Sequence, residues 1–368
     1  MKNQFAIKLI IGSFISALII LSFSGCKLIK KFQYDSKIYV YNYDNYVDKD
    51  VIKQFEDEYK IEVIYNTYNT NEEMLENIQK GDIQYDVICP SDYVIQKMAQ
   101  NNMLSEIDKS KIPNMRHIDP KYMEKSEGFD PGNKYSVPHF VGTVGIIYNV
   151  DMLKEKDLPK PTKWADLWNP VYKGEILMQD SMRDADMAAL KTLGYSMNTK
   201  DPEEIKQATD KLIEQIPLVK AYAVDEVRDM MLQKKAAIGM IYSGEYLYIK
   251  NALKSKLYDF QLEYIIPEEG SNIWIDSWVI PKNAKNKENA EKWIDFMNRP
   301  DIAVKNFRFI TYPTPNKGAY ALVDKEMQLN KVLFPDDDQI KNCDVYQYLG
   351  EETDKIYEEN WERFNKSK

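Results

Sequence analysis

The chain has 368 residues, enough for two domains, and its 44% hydrophobic and 29% charged residues are ordinary for a globular protein. With only 2 histidines and 3 cysteines, a zinc site or a histidine-based catalytic centre is not expected, and a net charge of −9 argues against nucleic acid as a partner. The acidic balance suits a cationic ligand, and tyrosine, with 26 copies, is the outlier of the composition.

The N-terminus resembles a bacterial lipoprotein signal peptide. A basic start is followed by the apolar run Leu9–Phe23, which is short for a membrane span of about 20 residues, and two small residues then precede Cys26. The resemblance implies residues 1–25 as the signal peptide, diacylation of the Cys26 thiol and residues 26–36 as a tether; an uncleaved signal anchor is the alternative. We therefore expect an exported protein, lipid-anchored to the outer face of the cell membrane or in the periplasm.

Strands and helices alternate after the tether. The pattern predicts strands at 38–43, at 61–65 and from residue 86, with helices at 51–59, at 71–80 and after the third strand. Such alternation is typical of a parallel sheet with helices on both faces, where ligands bind beyond the carboxyl ends of the strands. Tyr43–Tyr46 and Ser91–Tyr93 lie at two such ends.

A second series of strands and helices occupies roughly residues 141–265. It is preceded by the long extended segment Tyr135–Tyr148, which is interpreted as a strand crossing between two domains. The pattern then predicts strands at 174–179, 218–224 and 238–243, and helices at 180–193, from residue 201, at 225–235 and at 244–255. Three further helices are predicted at 286–298, 301–309 and 354–365.

The stretch Ser271–Pro281 is predicted to form a strand with an unusual face. Its alternation places Trp274, Asp276 and Trp278 on one side. A buried, unpaired carboxylate would cost several kcal/mol, so Asp276 needs a partner, and a cation fits because aromatic faces attract cations. The alternative is an edge strand with a solvated Asp276 and two packed tryptophans.

Other predicted strand ends carry an aromatic residue beside an acid. Together they describe a slot with aromatic walls and separated carboxylates, which suits an extended aliphatic polycation. Arg183 does not fit a cation site and is expected to orient Asp184 or Asp180 by bidentate pairing. The candidate residues are Tyr43, Asp44, Tyr46, Ser91, Tyr93, Asp180, Arg183, Asp184, Tyr242, Glu245, Trp274, Asp276 and Tyr312.

Seven motifs make the chain similar to the spermidine/putrescine-binding proteins of ABC-type polyamine importers. They are Tyr-Asn-Tyr-Asp-Asn-Tyr at 41–46, Pro-Ser-Asp-Tyr at 90–93, Asp-Pro-Gly-Asn-Lys-Tyr-Ser-Val-Pro at 130–138, Trp-Ala-Asp-Leu-Trp-Asn-Pro-Val-Tyr-Lys-Gly at 164–174, Leu-Gly-Tyr-Ser at 193–196, Ile-Trp-Ile-Asp-Ser at 273–277 and Tyr-Pro-Thr-Pro-Asn at 312–316. The resemblance implies an α/β fold of the periplasmic-binding-protein type II, with two lobes joined by crossing hinge strands. Lobe 1 is expected at 37–140 plus 273–311, and lobe 2 at 141–272 plus 312–368.

The resemblance also implies ligand contacts, position by position. Tyr43 and Trp274 would stack on the ligand, Asp276 would bind its inner amine, and Tyr312 would lie near the hinge. The C-terminal contact is assigned to Gln347, with its neighbour Tyr346 left open. The whole expected ligand-binding set is Tyr43, Asp44, Tyr46, Ser91, Tyr93, Asp180, Ser181, Arg183, Asp184, Tyr242, Trp274, Asp276, Tyr312 and Gln347.

Several residues depart from the family pattern, and these departures affect which polyamine is bound rather than whether a polyamine is bound. Tyr43 stands where tryptophan is usual, the acid of that loop is at Asp44, Asp184 replaces a glutamate, and Ser181 takes a position that can be acidic. Losing a terminal carboxylate could favour the shorter diamine, since a charged hydrogen bond contributes about 1.5–3 kcal/mol.

The resemblance implies binding without catalysis: no enzyme activity, no catalytic residue, no cofactor and no metal. Expected partners are a polyamine, ABC permease subunits and, through the lipid anchor, the membrane; no nucleic acid is expected, and the protein should be a monomer. The alternatives are the same fold with another small solute (amino acid, sugar or metal) and an exported hydrolase using Asp180 and Asp184.

The lobes would close through residues 138–142, 266–272 and 310–314. Whether Cys89 and Cys343 pair is left open.

Overall fold

The computed structural model describes residues 34–224, 226–254 and 259–368. The predicted signal peptide, the lipidated Cys26 and most of the tether lie outside the described residues. Within the described ranges, no helix is both long and apolar enough to cross a membrane.

The described residues form nine strands in one sheet, with the order β2-β1-β3-β9-β4-β7-β5-β6, and β8 pairs with β4 off this path. The strands are β1 (Ser36–Tyr43), β2 (Ile61–Tyr68), β3 (Val87–Ile88), β4 (Ser136–Asn149), β5 (Ile176–Gln179), β6 (Val219–Ala223), β7 (Ile238–Tyr242), β8 (Leu262–Ile265) and β9 (Ile273–Val279).

Helices cover the sheet and follow most of the predicted positions. They are α1 (Lys49–Tyr59), α2 (Asn71–Lys80), α3 (Asp92–Gln100), α4 (Pro120–Ser126), α5 (Val150–Glu155), α6 (Met182–Leu193), α7 (Pro202–Gln215), α8 (Glu226–Leu232), α9 (Ser243–Lys254), α10 (Lys287–Met297), α11 (Pro300–Ile310), α12 (Lys317–Tyr320), α13 (Lys325–Gln328), α14 (Asp337–Ile340) and α15 (Glu351–Asn365).

Strand β4 belongs to both halves of the sheet, as its length and apolar character predict. Its first half, 136–143, pairs with β9, and its second half, 144–149, pairs with β7 and β8. We call the part built on β1, β2, β3 and β9 lobe 1 and the part built on β5, β6, β7 and β8 lobe 2. Every residue of β4 is buried, because neighbouring strands and helices enclose it along its whole length.

The sheet is mixed rather than parallel throughout. The pairs β1–β2, β1–β3, β5–β6 and β5–β7 are parallel, as predicted, but β9 runs antiparallel to both β3 and β4. The edge-strand alternative for Ser271–Pro281 is therefore wrong, because β9 lies between two neighbours and all its residues are buried.

Trp278 does not share the ligand-facing environment predicted for its strand. Its ring packs edge-on against Trp293, with ring centroids 5.8 Å apart, and lies tilted against His139 at 4.7 Å, in the core of lobe 1. Cys89 and Cys343 are buried and free, each within an apolar cluster of the core.

The C-terminal segment contacts both lobes. Ile340 and Cys343 pack in a lobe 1 cluster with Met98 and Phe129, whereas Tyr346 and the α15 residues Tyr357 and Phe364 pack in the main cluster of lobe 2. The predicted residue boundaries of the lobes stay a prediction.

Candidate functional site

A cavity of about 660 Å³ opens where strands from both lobes end. It lies beyond the carboxyl ends of β1, β3, β5 and β7 and against the face of β9, as expected for ligand sites in such sheets. The structure brings twelve of the fourteen predicted residues to this cavity: Tyr43, Tyr46, Ser91, Tyr93, Asp180, Ser181, Arg183, Asp184, Tyr242, Trp274, Asp276 and Tyr312.

Asp276 is the buried carboxylate on the lobe 1 side of the cavity, with 5% of its surface exposed. The Tyr46 hydroxyl donates to its Oδ2, and the Ser91 Oγ donates to its Oδ1 at 2.8 Å. Burial raises the pKa of Asp276 to about 6, and these two hydrogen bonds oppose the rise because they favour the ionised form.

A chain of polar side chains continues from Ser91 along the wall of lobe 1. The Tyr43 hydroxyl lies 2.9 Å from Ser91 Oγ, and the Asn71 amide donates to Ser91 Oγ at 3.2 Å and to the Tyr93 hydroxyl at 3.3 Å. The Tyr93 hydroxyl in turn donates to Glu72 Oε1 at 3.2 Å. These bonds fix the orientation of the rings that face the ligand space.

Asp184 is the corresponding carboxylate on the lobe 2 side and is 4% exposed. Its Oδ2 accepts from Ser181 Oγ at 2.8 Å and from the Tyr242 hydroxyl at 2.6 Å, and its Oδ1 accepts from the Tyr346 hydroxyl at 2.9 Å. Tyr346, the neighbour of Gln347 that the sequence left open as the C-terminal contact, lines the cavity.

Gln347, the predicted C-terminal contact, does not line this cavity. It lines a separate polar cleft of about 770 Å³, and its backbone N–H donates to Asn198 Oδ1 at 3.0 Å. The segment that carries these two residues is irregular, and Tyr346 lines the cavity whereas Gln347 does not.

Asp44 also lies outside the cavity lining. It is exposed, and its carboxylate accepts a hydrogen bond from the Asn45 amide at 2.7 Å. Asn45 adopts a left-handed conformation with φ of 53°, so the chain turns sharply at this point. The turn directs Tyr43 and Tyr46 to the cavity and Asp44 to solvent.

Arg183 lines the cavity but does not orient Asp180 or Asp184 as predicted. Its guanidinium lies over the ring of Tyr346 at 4.6 Å and donates to Asn198 Oδ1 at 3.1 Å and to the carbonyl oxygen of Gln347 at 3.4 Å. Its role is to hold the C-terminal segment, and thereby Tyr346, against α6. Asp180 instead accepts a hydrogen bond from Lys368 Nζ at 2.6 Å.

Aromatic rings form the remaining walls. Four rings follow one another along the wall in the order Trp274, Tyr312, Tyr46 and Tyr43. The distances between the centroids of successive rings are 5.5, 5.9 and 5.1 Å. Burial, together with the charge of Asp276, raises the pKa of Tyr43 and of Tyr46, so both hydroxyls stay protonated and can donate.

The cavity lining is strongly acidic. Its only basic residue among the described residues is Arg183, whereas its acidic residues are Glu72, Asp92, Asp180, Asp184, Asp276 and Glu358. Asp92 is 1% exposed, and burial raises its pKa to about 8. Asp92 is therefore mostly protonated at neutral pH, and the other five acidic residues favour a cationic ligand over an anionic one.

Sequence reasoning missed several lining residues. Thr70, Asn71 and Glu72 follow the end of β2, so the strand-end rule could have found them. Glu358 and Trp361 lie on α15, where helical periodicity alone does not tell which face meets a cavity.

The chain is similar to known extracellular solute-binding proteins. The family described as bacterial extracellular solute-binding protein matches residues 50–335. The chain is 38% identical over 330 residues to the spermidine/putrescine-binding periplasmic protein of Escherichia coli (strain K12), covering 89% of this chain and 91% of that protein. It is 32% identical over 333 residues to spermidine/putrescine-binding periplasmic protein 1 of Haemophilus influenzae, covering 90% and 89%.

A solved structure extends the similarity to the fold. The spermidine/putrescine ABC transporter substrate-binding protein PotD from Streptococcus pneumoniae has a TM-score of 0.79 and 36% identity, covering 90% of this chain and 99% of that one. The predicted two-lobe fold and the resemblance to this group of binding proteins are confirmed. The chain belongs to the bacterial extracellular solute-binding protein family.

Proposed function

We propose that the protein binds an aliphatic polyamine, putrescine or spermidine, between its two lobes and delivers it to an ABC importer. The observation that carries this proposal is the pair of buried carboxylates, Asp276 and Asp184, whose described hydrogen bonds all come from neutral hydroxyl groups. Buried charges are stable only when paired, and protonated amines are the missing counter-charge.

The walls between the carboxylates suit the rest of such a ligand. Methylene groups of a polyamine would lie along Trp274, Tyr312 and Tyr43, while the ammonium groups would reach the acids and ring faces. The curated relatives above are named for spermidine and putrescine, which supports this class over amino acids, sugars or metals. An anionic ligand is disfavoured by the acidic lining.

Binding is proposed to close the lobes about the predicted hinge, 138–142, 266–272 and 310–314. Two of these segments touch, since the Val141 N–H donates to the Pro313 oxygen at 3.0 Å. The third residue group begins where α11 stops, at Ile310, and the next residue, Thr311, has a left-handed φ of 68°. The closed protein, a monomer held to the membrane through lipid on Cys26, would present both lobes to a permease. It would act by binding and release, with no enzymatic step.

Calorimetry tests the proposed ligand class. The chain from Tyr34 onward, where the described structure begins, is refolded from denaturant to remove bound ligand and titrated with putrescine, spermidine, arginine and glucose. Micromolar or tighter binding confined to the polyamines is expected. Binding of arginine or glucose with silence toward both polyamines would overturn the proposal.

The variant Asp276→Asn tests the assigned role of this carboxylate. We expect at least a tenfold loss of polyamine affinity, because a charge-assisted hydrogen bond contributes about 1.5–3 kcal/mol. Asp44→Asn is the matched control: it makes the same chemical change on the exposed side of the β1 turn and should leave the affinity unchanged. Equal affinity of both variants and the wild type would remove Asp276 from the site.

A further inference from the structure

Lys368 occupies a position that has the chemistry of an amine-binding site. Its ammonium donates to Asp180 Oδ1 at 2.6 Å and lies over three rings, at 4.3 Å from the centroid of Tyr222, 4.6 Å from Phe364 and 5.1 Å from Trp361. Its side chain is only 22% exposed. A carboxylate beside several aromatic faces is what holds an ammonium group out of water.

This cluster adjoins the cavity described above. Asp180 and Trp361 both line the cavity, whereas Tyr222 and Phe364 stand behind them. The rings support one another, with Phe364 at 5.4 Å from Tyr222 and 4.9 Å from Trp361. Asp180 follows β5 and its N–H donates to the Ala223 oxygen at 3.1 Å, so the end of the sheet fixes its position.

The contact between Lys368 and Asp180 differs from an ordinary surface ion pair. The Tyr222 hydroxyl is buried and has no hydrogen-bond partner among the described residues, which leaves a polar group available beside the ammonium. Lys366, near the same end of α15, shows the ordinary case: it pairs with Glu362 at 2.7 Å while both side chains are more than half exposed.

We propose that Lys368 is a built-in occupant of a second amine site, formed by Asp180, Tyr222, Trp361 and Phe364, and that it selects ligands by length. This inference rests on the proposed function. A diamine held between Asp276 and Asp184 binds with Lys368 in place. A longer amine that reaches Asp180 must first displace the Lys368 ammonium, and its affinity is lowered by the cost of that displacement.

The test compares amines of increasing length on the chain from Tyr34 onward. Putrescine, spermidine and spermine are titrated by calorimetry into the wild type, Lys368→Met and Lys366→Met. Lys368→Met should bind spermidine or spermine about tenfold more tightly relative to putrescine, since it frees one carboxylate and three ring faces. Lys366→Met removes the same charge from the same end of α15 and should leave the ratio unchanged.

Further variants separate displacement of the Lys368 ammonium from a general effect of removing a positive charge. In the Asp180→Asn background, Lys368→Met should give no further gain for the longer amines, because the site it frees lacks its carboxylate. Lys368→Gln, which keeps much of the side-chain length without the charge, should reproduce the gain if Lys368→Met perturbs folding. The reactivity of Lys368 toward an acylating reagent should also rise with spermine and stay low with putrescine.

The same titrations distinguish a failure of the Lys368 inference from a failure of the proposed function. Polyamine binding with an unchanged length ratio in Lys368→Met, or an equal gain in Lys366→Met, would overturn this inference alone. Silence of the wild type toward all three amines would overturn the proposed function and this inference with it.

Discussion

Asp276 places a functional requirement in conflict with the stability of the ligand-free protein. Burial raises its pKa to about 6, which means that the folded protein disfavours the ionised form that a polyamine needs. Tyr46 and Ser91 reduce the penalty by donating hydrogen bonds, but they bring no positive charge. The ligand supplies that charge, so affinity and pH should be coupled.

We expect polyamine affinity to fall as the pH is lowered through about 6. Aliphatic amines stay protonated in this range, whereas the Asp276 carboxyl takes up a proton and loses its charge. At pH 5 about one ligand-free molecule in ten would carry the ionised form, which gives about a tenfold weaker affinity than at pH 8. Calorimetry at pH 5, 6, 7 and 8 measures the profile.

The variant Asp276→Asn identifies the group responsible for this profile. The fall through pH 6 should be absent in the variant, and any slope that persists near pH 8 belongs to Asp92, whose pKa burial raises to about 8. A profile that is the same in the wild type and in Asp276→Asn would contradict the assignment.

The same variant should stabilise the ligand-free protein. A folded-state pKa of about 6 against an ordinary value of about 3.9 means that ionised Asp276 costs about 3 kcal/mol of unfolding free energy above pH 6. The cost fades as the pH falls and is gone below about 4, where the carboxyl is protonated in both states. Asp276→Asn should therefore unfold at higher urea concentration than the wild type at pH 8 and at a similar concentration at pH 4.

Site residues could be predicted from the sequence where local geometry fixes the direction of the side chain. Trp274 and Asp276 are two apart on a strand, so the alternation places both on one face. Asp44 and Gln347 lie outside the cavity lining, because a turn and an irregular segment decide which way they point. The stacking of Arg183 on Tyr346 joins residues 163 positions apart, which local patterns do not encode.

At the scale of elements, β4 and β9 position the tryptophan of the site through a close backbone approach. A Cβ on Gly142 of β4 would lie 2.2 Å from the Trp274 ring and 2.9 Å from Ser243 Oγ. Glycine is therefore needed for the Trp274 ring to lie this close to β4. The sequence predicted the crossing strand from its length, but not that β9 runs antiparallel to it, because alternation reports the face of a strand and not its direction.

We expect Gly142→Ala to weaken polyamine binding at least tenfold, because the added methyl group displaces the Trp274 ring from the cavity wall. Gly145→Ala is a matched control on the same strand: its methyl group would meet the Ile265 oxygen at 2.3 Å and Tyr264, away from the cavity lining. The control should lower the Tm while keeping the Kd of the folded fraction. A similar Kd for Gly142→Ala and the wild type would show that Trp274 does not depend on this contact.

At the scale of the molecule, the cavity draws its walls from both lobes. Asp276, Ser91 and Tyr43 belong to lobe 1 elements, whereas Asp184 and Tyr242 belong to lobe 2 elements. An extended dication that pairs with Asp276 and Asp184 would therefore bridge the lobes. Its binding energy would favour whichever arrangement of the lobes brings both carboxylates within reach.

Putrescine or spermidine should therefore contract and stabilise the molecule together. At a ligand concentration of 100 times the Kd, mass action adds about 2.7 kcal/mol to the unfolding free energy, a rise of several degrees in Tm. Small-angle scattering should show a smaller radius of gyration in the same sample. Asp276→Asn, whose Kd is expected to be at least tenfold higher, should gain at most about 1.4 kcal/mol at that ligand concentration. A rise in Tm without contraction would mean that the ligand binds to lobes already in their final arrangement, and the hinge at 138–142, 266–272 and 310–314 would then have no part in capture.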